Sequence, residues 1–364
     1  MNRWPIYSTS CIADVTRLLK SGVSLSAYRA NPRVGVGPKE GSYAWQAERA
    51  LEKLSGAKHA VAVNSGTAAL HAALVALEVR GREVVTSPYT FSATVSAILL
   101  AGGTPRFADV DPTNFCITPE TVTRVLARKT AAILPVDLFG YVQDKSGFAR
   151  FGLPVITDAC QAVGAHTLTK HEVAAVYSFN GMKNVPAGEG GALVTNDAKL
   201  AERARLFCNH AENFGTRDVG YNYRMQELVA CLTLHGLSDV KKRNEERRAF
   251  ADAVPFTVYG DGSSYRHASM HRNHAYYCVP MRYLRKRPSR ATFVKRLNAA
   301  GISAGNGYID PPLHHYAAFR KYARGRLPVV DRLSSETLVL FYEPWRGAEG
   351  GRKAAEAIRR AVKP

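Results

Sequence analysis

From about residue 59 the chain alternates short apolar, β-branched runs with Ala- and Leu-rich segments of helical length. That rhythm constrains the fold more than any single residue does. The runs predict strands at 59–63, 83–87, 105–109, 131–136, 154–157, 173–178 and 191–195. Apolar runs without polar alternation suit strands buried on both faces, and intervening segments such as 67–79 supply helices to cover them. The expectation is an α/β fold with a mostly parallel seven-stranded sheet, in which ligands gather at the carboxyl ends of the strands.

The rhythm stops near residue 224. Residues 224–250 read as one long helix with an apolar first half and a charged second half, a connector leaving the first domain. Beyond it, 274–282 reads as a strand, 289–300 as a helix opened by Ser289 and closed by Gly301, and 348–362 as a terminal helix. The expected division is an N-terminal segment 1–44, a large domain 45–240 and a smaller α+β domain 241–364. Within the first segment, glycine-rich residues 28–44 follow no strong strand signal and read as a loop, a candidate flap.

With 46% hydrophobic and 22% charged residues in 364, the chain has enough apolar material for large cores, which excludes wholesale disorder. Six widely spaced cysteines without a C-x-x-C pair argue against a disulfide scaffold or a zinc site, and point to a reducing cytosol. The first residues lack a continuous apolar segment and no run approaches the ~20 apolar residues of a membrane span, so a cytoplasmic protein is expected.

Candidate chemistry follows the strands. Asn64-Ser65-Gly66-Thr67 ends a strand and opens a helix, whose free first-turn amides and dipole suit a phosphate; an ordinary helix cap is the alternative for this tripeptide alone. Asp158 closes the run Leu153 to Thr157, with Gln161 one turn later. Lys183 follows the next strand and precedes Gly188-Glu189-Gly190-Gly191; partial desolvation there would lower its pKa and make it a Schiff-base nucleophile. Phosphate anchor, carboxylate and amine are together the parts that a pyridoxal 5′-phosphate (PLP) site needs.

The text around these residues resembles the DegT/DnrJ/EryC1/StrS family of sugar aminotransferases. The resemblance is carried by Val63 to Leu70, Ser87 to Thr94, Asp158 to Gly164, Ser178 to Asn184, Gly188 to Gly191 and Gly220 to Met225, in order, over roughly residues 45–245. It implies a fold-type I PLP enzyme acting as a dimer, with Lys183 carrying the cofactor and shuttling the proton. It places Asp158 at the pyridine nitrogen, Gln161 near the phenolic oxygen and Phe91 stacked on the ring. Gly66, Thr67 and Ser178 would form the phosphate cup, and Asn222 would reach the neighbouring subunit's cofactor. Lysine at position 183, where some relatives carry histidine and dehydrate, implies amino transfer, with glutamate as donor and a nucleotide-linked keto-sugar as acceptor. Two departures bear on substrate. Only thirteen residues separate Gly164 from Ser178, a shortening expected to remodel the pocket edge. Asn306 to Asp310 stand where the family usually has His-Tyr, although Pro311-Pro312-Leu313-His314 fits.

The remaining signals are charge and histidine. Lys and Arg number 49 against 30 Asp and Glu, a net +19; residues 1–240 contribute 24 against 20, and residues 241–364 contribute 25 against 10. The surplus is therefore a C-terminal property, suited to steering an anionic substrate. An alternative is a PLP enzyme acting on a nucleic-acid-linked substrate such as a modified nucleobase, and a nucleic-acid-binding regulator is disfavoured because the cofactor residues are intact. His267, His271 and His274 lack a companion cysteine or carboxylate, and His314-His315 read as pocket rim or surface, so no metal is expected.

Overall fold

Seven strands make the central sheet of the computed structural model, in the order β3 (His59–Val63), β9 (Gly191–Thr195), β8 (Ala174–Ser178), β7 (Ile156–Asp158), β6 (Thr130–Leu134), β4 (Glu83–Thr86) and β5 (Thr104–Phe107). The structure describes residues 7–31, 35–211, 219–254, 274–284, 287–341 and 347–362. Parallel bridges from Ile133 to Val155 and from Val136 to Asp158 join the two halves of the sheet between β6 and β7. Only β9 runs against the rest, pairing antiparallel with both β3 and β8. Its Gly191 lies beside the start of the next helix so tightly that a Cβ there would strike the Ser65–Gly66 backbone.

That helix, α3 (Gly66–Ala76), is apolar on all sides because all sides are covered. Nine of its 11 residues are buried, between the sheet and helices α4 (Ser92–Leu100) and α6 (Ala198–Cys208). Its first turn is thereby held rigidly at the carboxyl end of β3. The predicted span 67–79 is shorter in fact, since Glu78 turns to a φ of +55°.

Much of the described part of 28–44 is regular structure rather than the expected loop. β1 (Tyr28–Asn31) and β2 (Gly35–Pro38) pair as an antiparallel hairpin, and α2 (Tyr43–Ser55) begins at the end of that stretch, capped by Ser42. The hairpin's second arm, Gly35-Val36-Gly37-Pro38, carries one apolar β-branched residue and so shows no apolar period. Helix α1 (Thr9–Lys20) precedes it and packs on α7 (Glu227–Ala253).

Helix α7 also departs from expectation, because its charged half is not simply a solvated connector. Asn244 and Arg247 are buried; the Asn244 amide donates to Val163 O, and Arg247 Nη1 donates to the carbonyls of Tyr276 and Tyr277 at 3.1 Å each. At its other end, the Glu227 carboxylate accepts from the first-turn amides of Tyr43 and Ala44, so α7 caps α2.

The C-terminal part holds a three-stranded antiparallel sheet, β10 (Cys278–Arg282), β12 (Thr337–Phe341) and β11 (Ala304–Gly305), packed with α8 (Arg290–Ala299) and α10 (Gly347–Ala361). The expected strand 274–282 begins only at Cys278: Tyr276 adopts a φ of +45°, and its amide donates to His274 Nδ1. Two further α-helices, α5 (Pro119–Thr123) and α9 (Pro328–Glu336), complete the described α-helices, beside short 3-10 turns such as Ser146–Phe151. Among the described residues no helix is long and apolar enough to cross a membrane.

Candidate active site

The carboxyl ends of β3, β7 and β8 converge on one cleft of 450 Å³. Of the eight predicted residues, Gly66, Thr67, Phe91, Asp158, Gln161, Ser178 and Lys183 line it, and Asn222 does not. Asn222 is exposed, bridged to Asn209, with its carbonyl accepting from Asn64 Nδ2.

At one end the cleft meets the α3 N-terminus. Ser65 Oγ accepts from the Ala68 amide, and the first intrahelical bond runs from Ala69 N–H to Ser65 O, which leaves the Gly66 and Thr67 amides ahead of the ladder. Position 66 has no room for a side chain: a Cβ would lie 2.9 Å from Cys160 Sγ and 3.0 Å from Ser178 Cβ. Backbone donors, the helix dipole and the Thr67 and Ser178 hydroxyls suit a phosphate in this cradle.

Asp158 is buried at the end of β7. Thr94 Oγ1 donates to its Oδ2 at 2.7 Å, the Cys160 amide donates to its Oδ1 at 3.2 Å, and Thr90 braces Thr94. Such fixing holds a carboxylate aimed into the cleft. Gln161 is oriented in the same way: the Phe139 amide donates to Oε1 at 2.7 Å, so Nε2 is the end left to donate. Phe91, at the N-terminus of α4, is 54% exposed, a large aromatic face open to the cleft.

Lys183 sits at the tip of the β8–β9 connection. Backbone bonds from Phe179 to Gly190 and from Gly181 to Gly188 continue the ladder, and the Lys183 amide donates to Asn180 O. The loop is pinned from behind by buried Asn184, whose Nδ2 donates to Asn244 Oδ1 and Ala275 O. Val185 presses on Gly236 of α7, where a Cβ would come within 2.7 Å of it. Burial pulls the half-buried Lys183 amine below its ordinary pKa, while Cys160, Asp158 and Cys278 oppose the fall.

Sequence reasoning did not single out several lining residues. Thr94, Asn180 and Glu189 lie inside or beside recognised motifs, and Asn180 donates to Glu189 at 2.8 Å. Tyr277 arrives from the C-terminal part, where no local pattern announces it, and Tyr308 and Ile309 come from the departing segment Asn306 to Asp310. Residues 165–177, the shortened stretch, contribute nothing to the cleft lining. They fold over a buried network instead, in which Glu172 accepts from His166 and Thr157, and Tyr177 contacts His166.

Of the histidines, His267 and His271 lie outside the described residues, and His274 is buried and bridged to Tyr141. His314 and His315 converge on Asp331 Oδ1 at 2.9 and 2.8 Å. Donation from each Nε2 accounts for this cluster. Metal ligation would require His314 to carry its proton on Nδ1, which is buried with no acceptor. A second recess, 830 Å³ and lined by His71, Arg80, Arg203 and Tyr221 among others, holds none of the predicted residues.

The model of the DegT/DnrJ/EryC1/StrS aminotransferase family matches residues 33–358. A protein of Geobacillus stearothermophilus described as a pleiotropic regulatory protein is 34% identical over 326 residues, covering 82% of this chain and 84% of that one. The solved structure of NtdA from Bacillus subtilis, with bound cofactor PMP, superposes with a TM-score of 0.80 at 25% identity, over 100% of this chain and 86% of that one. DesI, solved in the presence of its TDP-sugar product, gives a TM-score of 0.82 at 26% identity, over 100% and 92% of the two chains.

Proposed function

The chain belongs to the DegT/DnrJ/EryC1/StrS aminotransferase family and is a PLP-dependent aminotransferase, and from that premise we propose that it moves an amino group from glutamate to the keto group of a nucleotide-linked keto-sugar. The observation that carries this reading is the convergence, in one cleft, of a phosphate cradle, a fixed carboxylate and a desolvated lysine. The DesI structure, obtained with a TDP-sugar product, supports the acceptor class.

The cofactor, when bound, supplies an electron sink for the carbon that carries the amino group. The protein's residues do the rest. The Gly66 and Thr67 amides and the Ser178 hydroxyl would hold its phosphate, Asp158 would face its ring nitrogen, Gln161 would donate to its ring oxygen and Phe91 would cover its ring face. Lys183 would hold the aldehyde, and its amine is placed to move a proton between neighbouring carbons. Thr94 keeps Asp158 from swinging away.

Among the described lining residues Lys183 is the one cation, and it is committed to chemistry. A nucleotide's phosphates would therefore rest outside the cleft, where the +15 carried by residues 241–364 attracts them. In this reading residues 45–240 bind the cofactor and 241–364 frame the entrance, in a cytoplasmic homodimer whose Asn222 completes the partner's cleft. Exposed Val219, Tyr221 and Leu100, at 80%, 47% and 57%, support an interface beside Asn222.

The test is direct. Purified protein should be yellow with PLP, with an absorbance that Lys183→Ala removes, and should show glutamate-dependent amination in a panel of keto-sugar nucleotides. Turnover confined to oxidised nucleobases would replace the acceptor, and a protein that takes up no PLP would defeat the reading entirely.

A further inference from the structure

The Lys183 ammonium has an unusual neighbour. Its Nζ lies 4.2 Å from the centroid of the Tyr277 ring, over the face, and among the described residues it forms no ion pair with a carboxylate. Asp158, the acid whose charge acts on the amine, has its oxygens drawn to Thr94 and the Cys160 amide. The other groups facing the amine are the thiols of Cys160 and Cys278, both pushed up by burial, with Tyr308 and Glu189 elsewhere in the lining.

The Tyr277 ring is placed with care. It directly precedes β10, and its backbone is held from both sides: its amide donates to Phe139 O at 2.8 Å, and its carbonyl accepts from the buried Arg247 of α7. Tyr308 meets it at 88° with centroids 6.0 Å apart, and Phe139 meets Tyr308 in turn at 78°. The residue is 9% exposed, so its face is presented in a site poor in water, where attraction between a cation and an aromatic face is strongest.

We propose that the face of Tyr277 is the resting place of the Lys183 ammonium whenever the lysine is not bonded to the cofactor, which makes Tyr277 a positioning residue for amino transfer. The inference rests on Lys183 being the cofactor's lysine. In the half of the cycle in which the cofactor holds the amino group, the free lysine must stay within reach of the reacting carbon, and between proton transfers its charge needs a partner. A carboxylate partner would hold it too firmly and away from the reacting carbon. A ring face stabilises the charge without a directional bond, so the amine can leave along the cleft.

The experiment uses cofactor-free full-length protein and reads the pKa of Lys183 from the pH dependence of its acetylation, quantified on the Lys183 peptide by mass spectrometry. Tyr277→Phe keeps a ring face and should leave the pKa unchanged. Phenylalanines carrying one, two and three fluorines at position 277 keep nearly the same shape and progressively weaken the face. They should lower the pKa stepwise, by about one unit across the series. Tyr277→Leu should lower it as well. A flat fluorine series, or a rise in Tyr277→Leu as water enters, would overturn the proposal, because a ring that merely fills space predicts both. Failure of the unmodified protein to attach PLP at Lys183 would instead sink the assignment of that lysine, so the two failures are distinguishable.

Discussion

The Asp137–Lys145 pair offers the sharpest test of how the site is supported. Lys145 Nζ lies 2.5 Å from Asp137 Oδ1, and the two side chains are 1% and 0% exposed. The pair stands one strand behind the Asp158 carboxylate, because the Asp137 amide donates to Asp158 O and the Asp158 amide donates to Pro135 O. Burial pushes the Asp137 carboxyl above its ordinary range, and Lys145 opposes that rise. Lys145→Met keeps the length and removes the charge. Asp137 Oδ1 would then accept from the Gln143 amide only, at 3.2 Å, while Oδ2 already has no partner. Breaking a buried pair by removing one member costs about 3–5 kcal/mol, a large share of a typical stability of about 5–15 kcal/mol. Equilibrium urea unfolding of the cofactor-free protein at pH 7 should show this as a lower midpoint with an unchanged slope. The deficit should shrink toward pH 4. A carboxyl with a raised folded pKa binds its proton more readily when folded, so folding is favoured at lower pH and disfavoured as pH rises. Removing both partners, in Asp137→Leu/Lys145→Met, should recover most of the loss. A single-variant cost under about 1 kcal/mol, or a double variant no better than the single, would refute the reasoning.

Two further outcomes follow from the same geometry. Gly66→Ala should lower PLP affinity on the order of 10- to 100-fold, the worth of one or two hydrogen bonds to a charged group, because its Cβ meets Cys160 Sγ and Ser178 Cβ; a dissociation constant within threefold of wild type, by absorbance titration, contradicts the cradle. Burial alone would raise the Glu172 carboxyl, but His166 and Thr157 hold it down to about 2. A depressed carboxylate stabilises above its unfolded pKa and loses that contribution as pH falls through the folded one. Wild type should therefore lose about 3 kcal/mol more than Glu172→Gln between pH 4.5 and 2, and parallel acid-unfolding curves would exclude the effect.

How much of this was legible in the sequence depended on how a residue obtains its environment. β3 and β9 were read to the residue, because strands buried on both faces must be apolar throughout, and their ends are set by Asn64 and the glycines before Gly191. Helix α3 was nearly so, for the same reason. The hairpin at 28–38 was invisible, since backbone pairing fixes it rather than an apolar face. β12 was missed because Thr337 to Phe341 follows α9 directly, with no turn residues to punctuate it. The buried half of α7 looked solvated because Asn244 and Arg247 are satisfied by carbonyls far along the chain. Tyr277 and Tyr308 belong to the same class: each reaches the cleft through long-range packing, and long-range packing leaves no local period.

The antiparallel strand has a consequence for how the protein is made. Among the named strands β3 pairs with β9, setting Val63 against Gly191 across about 130 residues of chain. At a translation speed of about 5–20 residues per second, a nascent chain carries β3 without that partner for roughly 6 to 26 seconds. Throughout that interval the start of α3 lacks the Gly191 backbone that packs on Ser65 and Gly66. A ribosome-bound chain shorter than about 195 residues therefore lacks the strand that packs on the Ser65–Gly66 turn, and β9 must enter between β3 and β8, two strands already made.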